Sequence, residues 1–224
     1  MGSVKRNYDA SRRQALARQS RARILDAART LFLRDGYVAT TIAQIAADAD
    51  VAVQTVTKHF ANKPGLVKAL FEVALVGDDE GVPLAAREWI TAILDEPDAR
   101  QKLRMYAHAL GFMVPRTAPI QLLAREASGD AGVAEVWRQI RFGRLMGLTD
   151  LANNLDAGHH LRNGVTIEHA RDVLWTYSSP EIYELLVLAR GWTLDQYSAF
   201  IETGAIAALL ATRPEKSRRK ASPT

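Results

Sequence analysis

Gln54, Thr55, Thr57, Lys58 and His59 place an amide, two hydroxyls, an ammonium and an imidazole within one short stretch. Such a set can do the chemistry of reading a duplex. The Gln54 amide can pair bidentately with a base edge, Lys58 can donate to base acceptors, and the Thr55 methyl can meet a thymine methyl. Thr57 and His59, with Thr41 ahead of them and Lys63 behind, suit phosphate oxygens, which fix register without carrying sequence information. None of this works unless the side chains share a rigid support narrow enough to enter a groove. The intervening Val53, Val56 and Phe60 supply it. Their helical spacing predicts a helix with one buried stripe and the polar residues turned wholly or partly outward.

The support needs a partner helix. Ile42, Ile45 and Ala46 fall at i, i+3, i+4, and Thr41 stands where a hydroxyl can accept an orphan amide at the helix start. Asp48-Ala49-Asp50 supplies turn chemistry between the two helices, and the whole has the pattern of a helix-turn-helix. Ahead of it, Ser20 is placed to cap a helix over 21–34, whose Ile24, Leu25, Ala28, Leu31 and Phe32 share one face; Asp35-Gly36 ends it. Behind it, Asn62 and Pro64 open a helix over 63–76. Gly77 to Gly81 reads as a break and marks the expected domain boundary.

From there every segment has helical spacing. Helices are expected over 83–94, 98–113, 119–127, 130–156, 166–178, 180–190 and 193–212, with Pro83, Pro97, Pro119 and Pro180 at starts and Gly129, Gly164 and Gly191 between them. No β-alternation of useful length interrupts them. The expected fold class is all-α: an N-terminal three-helix helix-turn-helix DNA-binding domain joined to a larger C-terminal helical ligand-binding and dimerisation bundle. The expected organisation is a flexible basic arm at 1–19, the reader domain at 20–76, the helical bundle at 82–212 and a basic disordered tail at 213–224.

Charge follows this division. The chain carries a net charge of +4 over 224 residues. Lys5, Arg6, Arg12, Arg13, Arg18, Arg21 and Arg23 face only Asp9 in the first 23 residues, and the last twelve hold five basic residues against Glu215. The body between is mildly acidic. Basic tails can neutralise phosphates and give salt-sensitive affinity without sequence preference.

Composition narrows the class further. With 0 cysteines there are no disulfides or thiolate metal sites, no apolar run has the ~18 residues a membrane span needs, and no secretory leader is visible. A cytoplasmic protein without membrane association is expected. His159-His160, His169 and Asp172 match no metal-ligand spacing, and no paired carboxylates, nucleophile elbow or phosphate-binding glycine loop appears. No cofactor, metal or catalytic residue is expected.

The bundle offers two further candidate sites. Met105, Tyr106, His108, Phe112, Met113, Trp137 and Trp175 occupy core-facing or near-core positions of several helices and can line a cavity for a small, largely apolar molecule. His108 or Tyr106 could orient one polar group there. Ile182, Leu185, Leu186 and Ala189, then Phe200, Ile201, Gly204, Ala205, Ala208 and Leu209, form stripes at helical spacing. Two such helices from each of two subunits can build a four-helix bundle across a twofold axis.

Taken together, Ile24-Leu-Asp-Ala-Ala-Arg-Thr-Leu-Phe, Asp35-Gly-Tyr37, Thr41-Ile-Ala-Gln-Ile-Ala and Lys58-His-Phe-Ala-Asn-Lys63 resemble the TetR family of transcriptional regulators over about residues 20–70. Asp172-Val-Leu-Trp175, Ser179-Pro-Glu-Ile-Tyr183 and Arg190-Gly-Trp192 add a weaker likeness near the C-terminus. The resemblance implies a homodimer on a pseudo-palindromic double-stranded DNA operator, a repressor released by a small-molecule effector. The chain departs from the family pattern in having Asp50 where a turn glycine is usual, Thr57 where a phosphate-contacting tyrosine is usual, and Ala52 as a weak helix cap. Two other classes fit the residues less well: a DNA-binding dimer whose bundle takes no small molecule, and an all-α enzyme or binding module that keeps a degenerate helix-turn-helix.

Overall fold

A computed structural model of the chain describes the backbone of residues 3–77 and 84–211 and the side chains of 14–77, 84 and 86–211. The basic tail expected at 213–224, and most of the break expected at 77–81, lie outside the described residues.

Ten α-helices account for most of the described chain. They are α1 (Ser3–Ala39), α2 (Ile42–Asp48), α3 (Val53–Phe60), α4 (Lys63–Val76), α5 (Glu88–Asp95), α6 (Ala99–Glu126), α7 (Ala131–Ala157), α8 (Ile167–Tyr177), α9 (Pro180–Tyr183) and α10 (Leu194–Leu209). A 3₁₀ turn, Leu84–Ala86, precedes α5, and α9 runs on into a π-helical turn, Glu184–Leu188. The described residues contain no strand, only an isolated bridge between Leu161 and Leu210.

Local chemistry explains most of the boundaries. Thr41 and Gln44 form a reciprocal capping box at the start of α2, Asn62 accepts from the Gly65 amide at 2.8 Å, and Asp98, Asp130, Thr166, Ser179 and Thr193 cap the starts of α6 to α10. Each cap contributes about 1 kcal/mol by satisfying an amide the helix leaves open. Gly36 kinks α1 three residues before its end, at φ 82, ψ 165, a conformation that a β-carbon would strain.

The structure corrects three sequence expectations. Helix α1 begins at Ser3, not Ser20, so 3–19 is helical where a flexible arm was expected. Ala, Arg, Lys, Gln and Leu dominate that segment and neither glycine nor proline breaks it, so helix propensity alone extends the first turn outward. The helices expected over 98–113 and 119–127 are one helix, α6, which passes through Pro115 and Pro119. Each proline deletes one helical hydrogen bond. The flanking Val114, Ala118 and Ile120 are buried, and that packing holds the helix together. Finally, the π-turn shifts the side-chain register after Glu184: Ala189 donates to the Glu184 carbonyl five residues back at 2.9 Å.

Two apolar cores organise the molecule, and neither stops at the expected domain boundary. The first holds Ile24, Phe32, Ile45, Val56, Phe60 and Leu66 from α1 to α4, together with Ile120, Leu123 and Ala124 from the end of α6 and Val133, Val136 and Ile140 from the start of α7. The second holds the first half of α6, the second half of α7 and α8 to α10, with Leu103, Leu155, Leu174, Tyr197 and Ile201 fully buried. The α6–α7 hairpin therefore runs through both cores. Its crossing point on α6 falls between Ala118, in the second core, and Ile120, in the first, where Pro119 stands.

Candidate functional site

The turn between α2 and α3 depends on Asp50. Its φ is 51, the left-handed conformation that aspartate tolerates better than most side chains, and it holds the place where glycine is usual. Val51 donates to the Ala46 carbonyl at 3.0 Å and closes the turn, while Arg23 of α1 approaches the Asp50 carboxylate at 3.8 Å. Helix α3 then starts at Ala52 without a side-chain cap, as its sequence implied. It ends in a tight γ-turn: Ala61 has φ 60, ψ −53, and Asn62 donates to the Phe60 carbonyl at 2.6 Å. A non-glycine residue in such a turn costs on the order of 1–3 kcal/mol. That strain is held by Val56 and Phe60, which anchor α3 in the first core.

Gln54, Thr57 and Lys58 project into solvent from α3, and Thr55 and His59 are half-buried at its edges. Thr57 spends its hydroxyl on the Gln54 carbonyl at 3.1 Å. Thr41 spends its own on the capping box, 2.9 Å from Gln44 Oε1, but is exposed at the start of α2. Val53, expected in the buried stripe, is 42% exposed, because the first turn of α3 overhangs the core. The exposed face of α3 is thus Val53, Gln54, Thr57 and Lys58.

Lys63 is a correction to the expected phosphate set. Its ammonium turns inward, donating to the Tyr37 carbonyl at 2.8 Å and the Thr40 carbonyl at 3.0 Å, 4.1 Å from the centre of the Tyr37 ring. Two of its three N–H bonds hold the α1–α2 junction. The Tyr37 hydroxyl points toward Asp130 at the start of α7, 3.4 Å away. Burial, then the Asp130 charge, push that phenol up to about 12. No local pattern marks this link, since the partners are 93 residues apart. Arg21 of α1 lies over the Phe60 ring at 4.9 Å, so basic residues of α1 line the same edge of the reader.

The candidate effector residues separate into two groups. Tyr106 is buried and donates to the Leu174 carbonyl at 3.0 Å; Trp175 is half-buried beside Arg144; Met105 and Met113 pack against the second core, and Trp137 against the first. His108 and Phe112 instead stack edge-on, 4.7 Å apart, on the outer face of α6, where Phe112 is 61% exposed. They do not face the interior, because Leu103, Tyr106, Ala107, Leu110 and Val114 fill the inward face of α6. Two open grooves lie on the outside of α8 and α10, one lined by Trp192, Gln196, Phe200 and Gly204, the other by His169, Asp172, Thr176 and Tyr177.

The interface stripes are also rotated from expectation. Ile201, Ala205 and Leu209 are fully buried inside the protomer, and Ala208 is half-buried. The outer face of α10 is Ala199, Phe200, Thr203 and Ala207, with Gly204 at its edge. Before it, Leu185 and Leu188 are 59% and 57% exposed, Ala189 is exposed, and Ile182 and Leu186 lean on the core. Amphipathic spacing located the stripes, but α10 has apolar residues on two faces, and only packing decides which is inward. Tyr177, Phe200 and Trp192 form an edge-to-face series on this surface, with centroids 5.7 and 5.9 Å apart. Gly204 permits it, since a β-carbon there would sit 2.2 Å from the Tyr177 hydroxyl.

The class defined by these features is a helix-turn-helix head that shares its core with an all-helical body. Residues 24–70 match the bacterial regulatory proteins of the tetR family. A curated relative, the uncharacterised helix-turn-helix type transcriptional regulator YvkB of Bacillus subtilis (strain 168), is 49% identical over 53 residues; that match spans 24% of this chain and 28% of the relative. Over the whole fold the chain is similar to native NalD, the secondary repressor of the MexAB-OprM multidrug efflux pump in Pseudomonas aeruginosa, with a TM-score of 0.68, 21% identity and coverage of 87% of this chain and 97% of that one. It is also similar to the transcriptional regulator FadR of Bacillus subtilis in complex with stearoyl-CoA (TM-score 0.66, 20% identity, 84% and 98% coverage). A third similar structure is the SmeT–triclosan complex (0.62, 19%, 86% and 92%). The family likeness is carried by residues 24–70, and the solved structures extend the likeness of fold over most of the chain. Among the described residues no helix is long and apolar enough to cross a membrane.

Proposed function

We propose that the chain is a DNA-binding transcriptional repressor that acts as a homodimer and leaves its operator when a small, largely apolar molecule binds the C-terminal bundle. The observation that carries this reading is the α6–α7 hairpin, whose two ends complete two different cores. A change in the packing of the bundle core moves the same rigid helices on which α1 to α4 sit. Arg116 of α6 adds a direct tie, donating to the Ala74 carbonyl near the end of α4 at 3.1 Å. A ligand acts on DNA affinity only through its different affinity for the two arrangements, and a coupling of about 1–3 kcal/mol changes operator affinity roughly 5–150-fold. Two of the similar structures hold small molecules with large apolar parts, one stearoyl-CoA and the other triclosan, which supports a ligand-responsive reading.

The exposed Gln54, Thr57 and Lys58 on α3 would read the major groove, with Thr41, Thr55 and His59 at its flanks. Leu185, Leu188, Phe200 and Trp192 would meet their copies in the second subunit. An operator selected from a random duplex pool, followed by fluorescence anisotropy with and without a panel of apolar compounds, tests the reading. Tight, dimeric, sequence-selective binding that a compound weakens is expected. Absence of any selected sequence would overturn DNA recognition, and indifference to every compound would leave only a dimeric DNA-binding protein.

A further inference from the structure

Arg141 and Arg144 stand one turn apart on α7, and both guanidinium groups lie against the indole of Trp175 in α8, 5.4 and 4.7 Å from a ring centre. Arg141 is exposed; Arg144 is half-buried. Arg144 donates one hydrogen bond, to the Ser178 carbonyl at 2.9 Å, while its Nε is buried with no partner. Among the described residues no carboxylate pairs with it. Glu181, whose charge it feels, is bound by Arg125 at 3.5 Å. Burial pulls the Arg144 guanidinium below its ordinary value, with Glu181 opposing.

Two more polar atoms in the same place lack partners: the Trp175 Nε1 and the hydroxyl of Tyr197, a residue of α10 with no exposed surface. Tyr197 and Tyr106 are close enough to sense each other and Arg144. A buried donor left unpaired is costly, and more so when it is part of a cation. Arg144 of α7 lies against Trp175 of α8 and within electrostatic reach of Tyr197 of α10, so the three groups share one neighbourhood. All three can donate, and one is charged. What would satisfy them together is an anionic acceptor with more than one lone pair, and a carboxylate fits the guanidinium fork.

We infer that this cluster is the head-group subsite of the effector: it binds the carboxylate of a small organic acid, the acid on Arg144, Tyr197 and Trp175 Nε1. Exposed Arg141 guides the anion in. The inference rests on the proposed effector function of the bundle and gives that effector a charge.

The test uses the full-length protein and two probes of equal shape, 2-naphthoate and 2-naphthamide, followed by tryptophan fluorescence and calorimetry. Naphthoate is expected to bind at least ten-fold more tightly than the amide. Arg144→Gln should reduce naphthoate to the level of the amide and leave the amide unchanged. Tyr197→Phe removes only the orphan oxygen and keeps the ring, so it should fold normally and still weaken naphthoate several-fold. Equal affinity for acid and amide, no binding of either, or naphthoate binding unaffected by both variants would overturn the subsite. Operator affinity separates the two readings. If naphthoate binds through Arg144 without weakening operator binding, the subsite stands and the release function falls. If an uncharged compound releases the operator equally from wild type and Arg144→Gln while naphthoate fails to bind, the release function stands and the subsite falls.

Discussion

Lys63, the first residue of α4, holds Tyr37 from two sides: its ammonium donates to the Tyr37 carbonyl at 2.8 Å and lies 4.1 Å from the ring centre. The second bond, to Thr40, closes the loop into α2. These charged hydrogen bonds replace water on a half-buried group, and each is worth about 1.5–3 kcal/mol. Lys63→Met keeps the aliphatic stem, loses both bonds and should lower stability by about 3 kcal/mol or more in urea denaturation. Unchanged stability with a weaker, less salt-dependent DNA affinity would return Lys63 to the phosphate-contacting group.

On α3 the exposed pair Gln54 and Lys58 should carry sequence selectivity. Replacing either with alanine is expected to cost about 1–3 kcal/mol on the selected operator and far less on random duplex. Equal losses on both would assign these residues to the backbone.

The basic segment ahead of residue 20 has a helical backbone from Ser3. Deleting residues 1–19 removes Lys5, Arg6, Arg12, Arg13 and Arg18. The slope of log affinity against log salt should become shallower by roughly 0.9 for each phosphate the segment had neutralised. A slope that stays the same would mean the segment points away from the duplex.

The reader was legible because its signals are local. Thr41, Asp50 and Asn62 each act on atoms within a few residues, so a cap or a left-handed turn can be read from residue type alone. The bundle was legible only as a set of amphipathic helices. Which face of α10 turns inward depends on α6 and α8, and Ile201 and Phe200 are equally apolar in sequence. The π-turn after Glu184 and the unbroken α6 through two prolines are likewise settled by packing, not propensity. The inward turn of Lys63 and the Arg144 cluster need contacts across many residues, which a single sequence does not display.

Arg116 links the two cores at the point where α6 crosses between them, 3.1 Å from the Ala74 carbonyl. It is exposed and buries nothing, so its loss should barely affect folding. Arg116→Met should leave ligand-free operator affinity and ligand affinity close to wild type while reducing the ratio of operator affinities with and without ligand. A full response in this variant would show that the shared core alone carries the coupling.

Phe200 and Ile201 are neighbours on α10 with opposite fates, the first 38% exposed and the second fully buried. Charge at the two positions therefore separates assembly from folding. Phe200→Glu places a carboxylate among Tyr177, Trp192 and the partner's copy of the same face. It should shift sedimentation from dimer to monomer with the helical content intact. Ile201→Glu buries an unpaired carboxylate beside Leu110 and Tyr197 in the second core. Burying a charge without a partner costs several kcal/mol, a large fraction of a domain's stability, so this variant should lose its cooperative unfolding transition. Operator binding supplies the third measurement. A monomeric Phe200→Glu protein presents one half-site reader, and its affinity for the full operator should fall by orders of magnitude while its non-specific binding changes little. If Phe200→Glu remains a dimer that binds the operator like wild type, the outer face of α10 is not the interface. The exposed stripe of Phe142 and Met146 on α7 would then be the next surface to test.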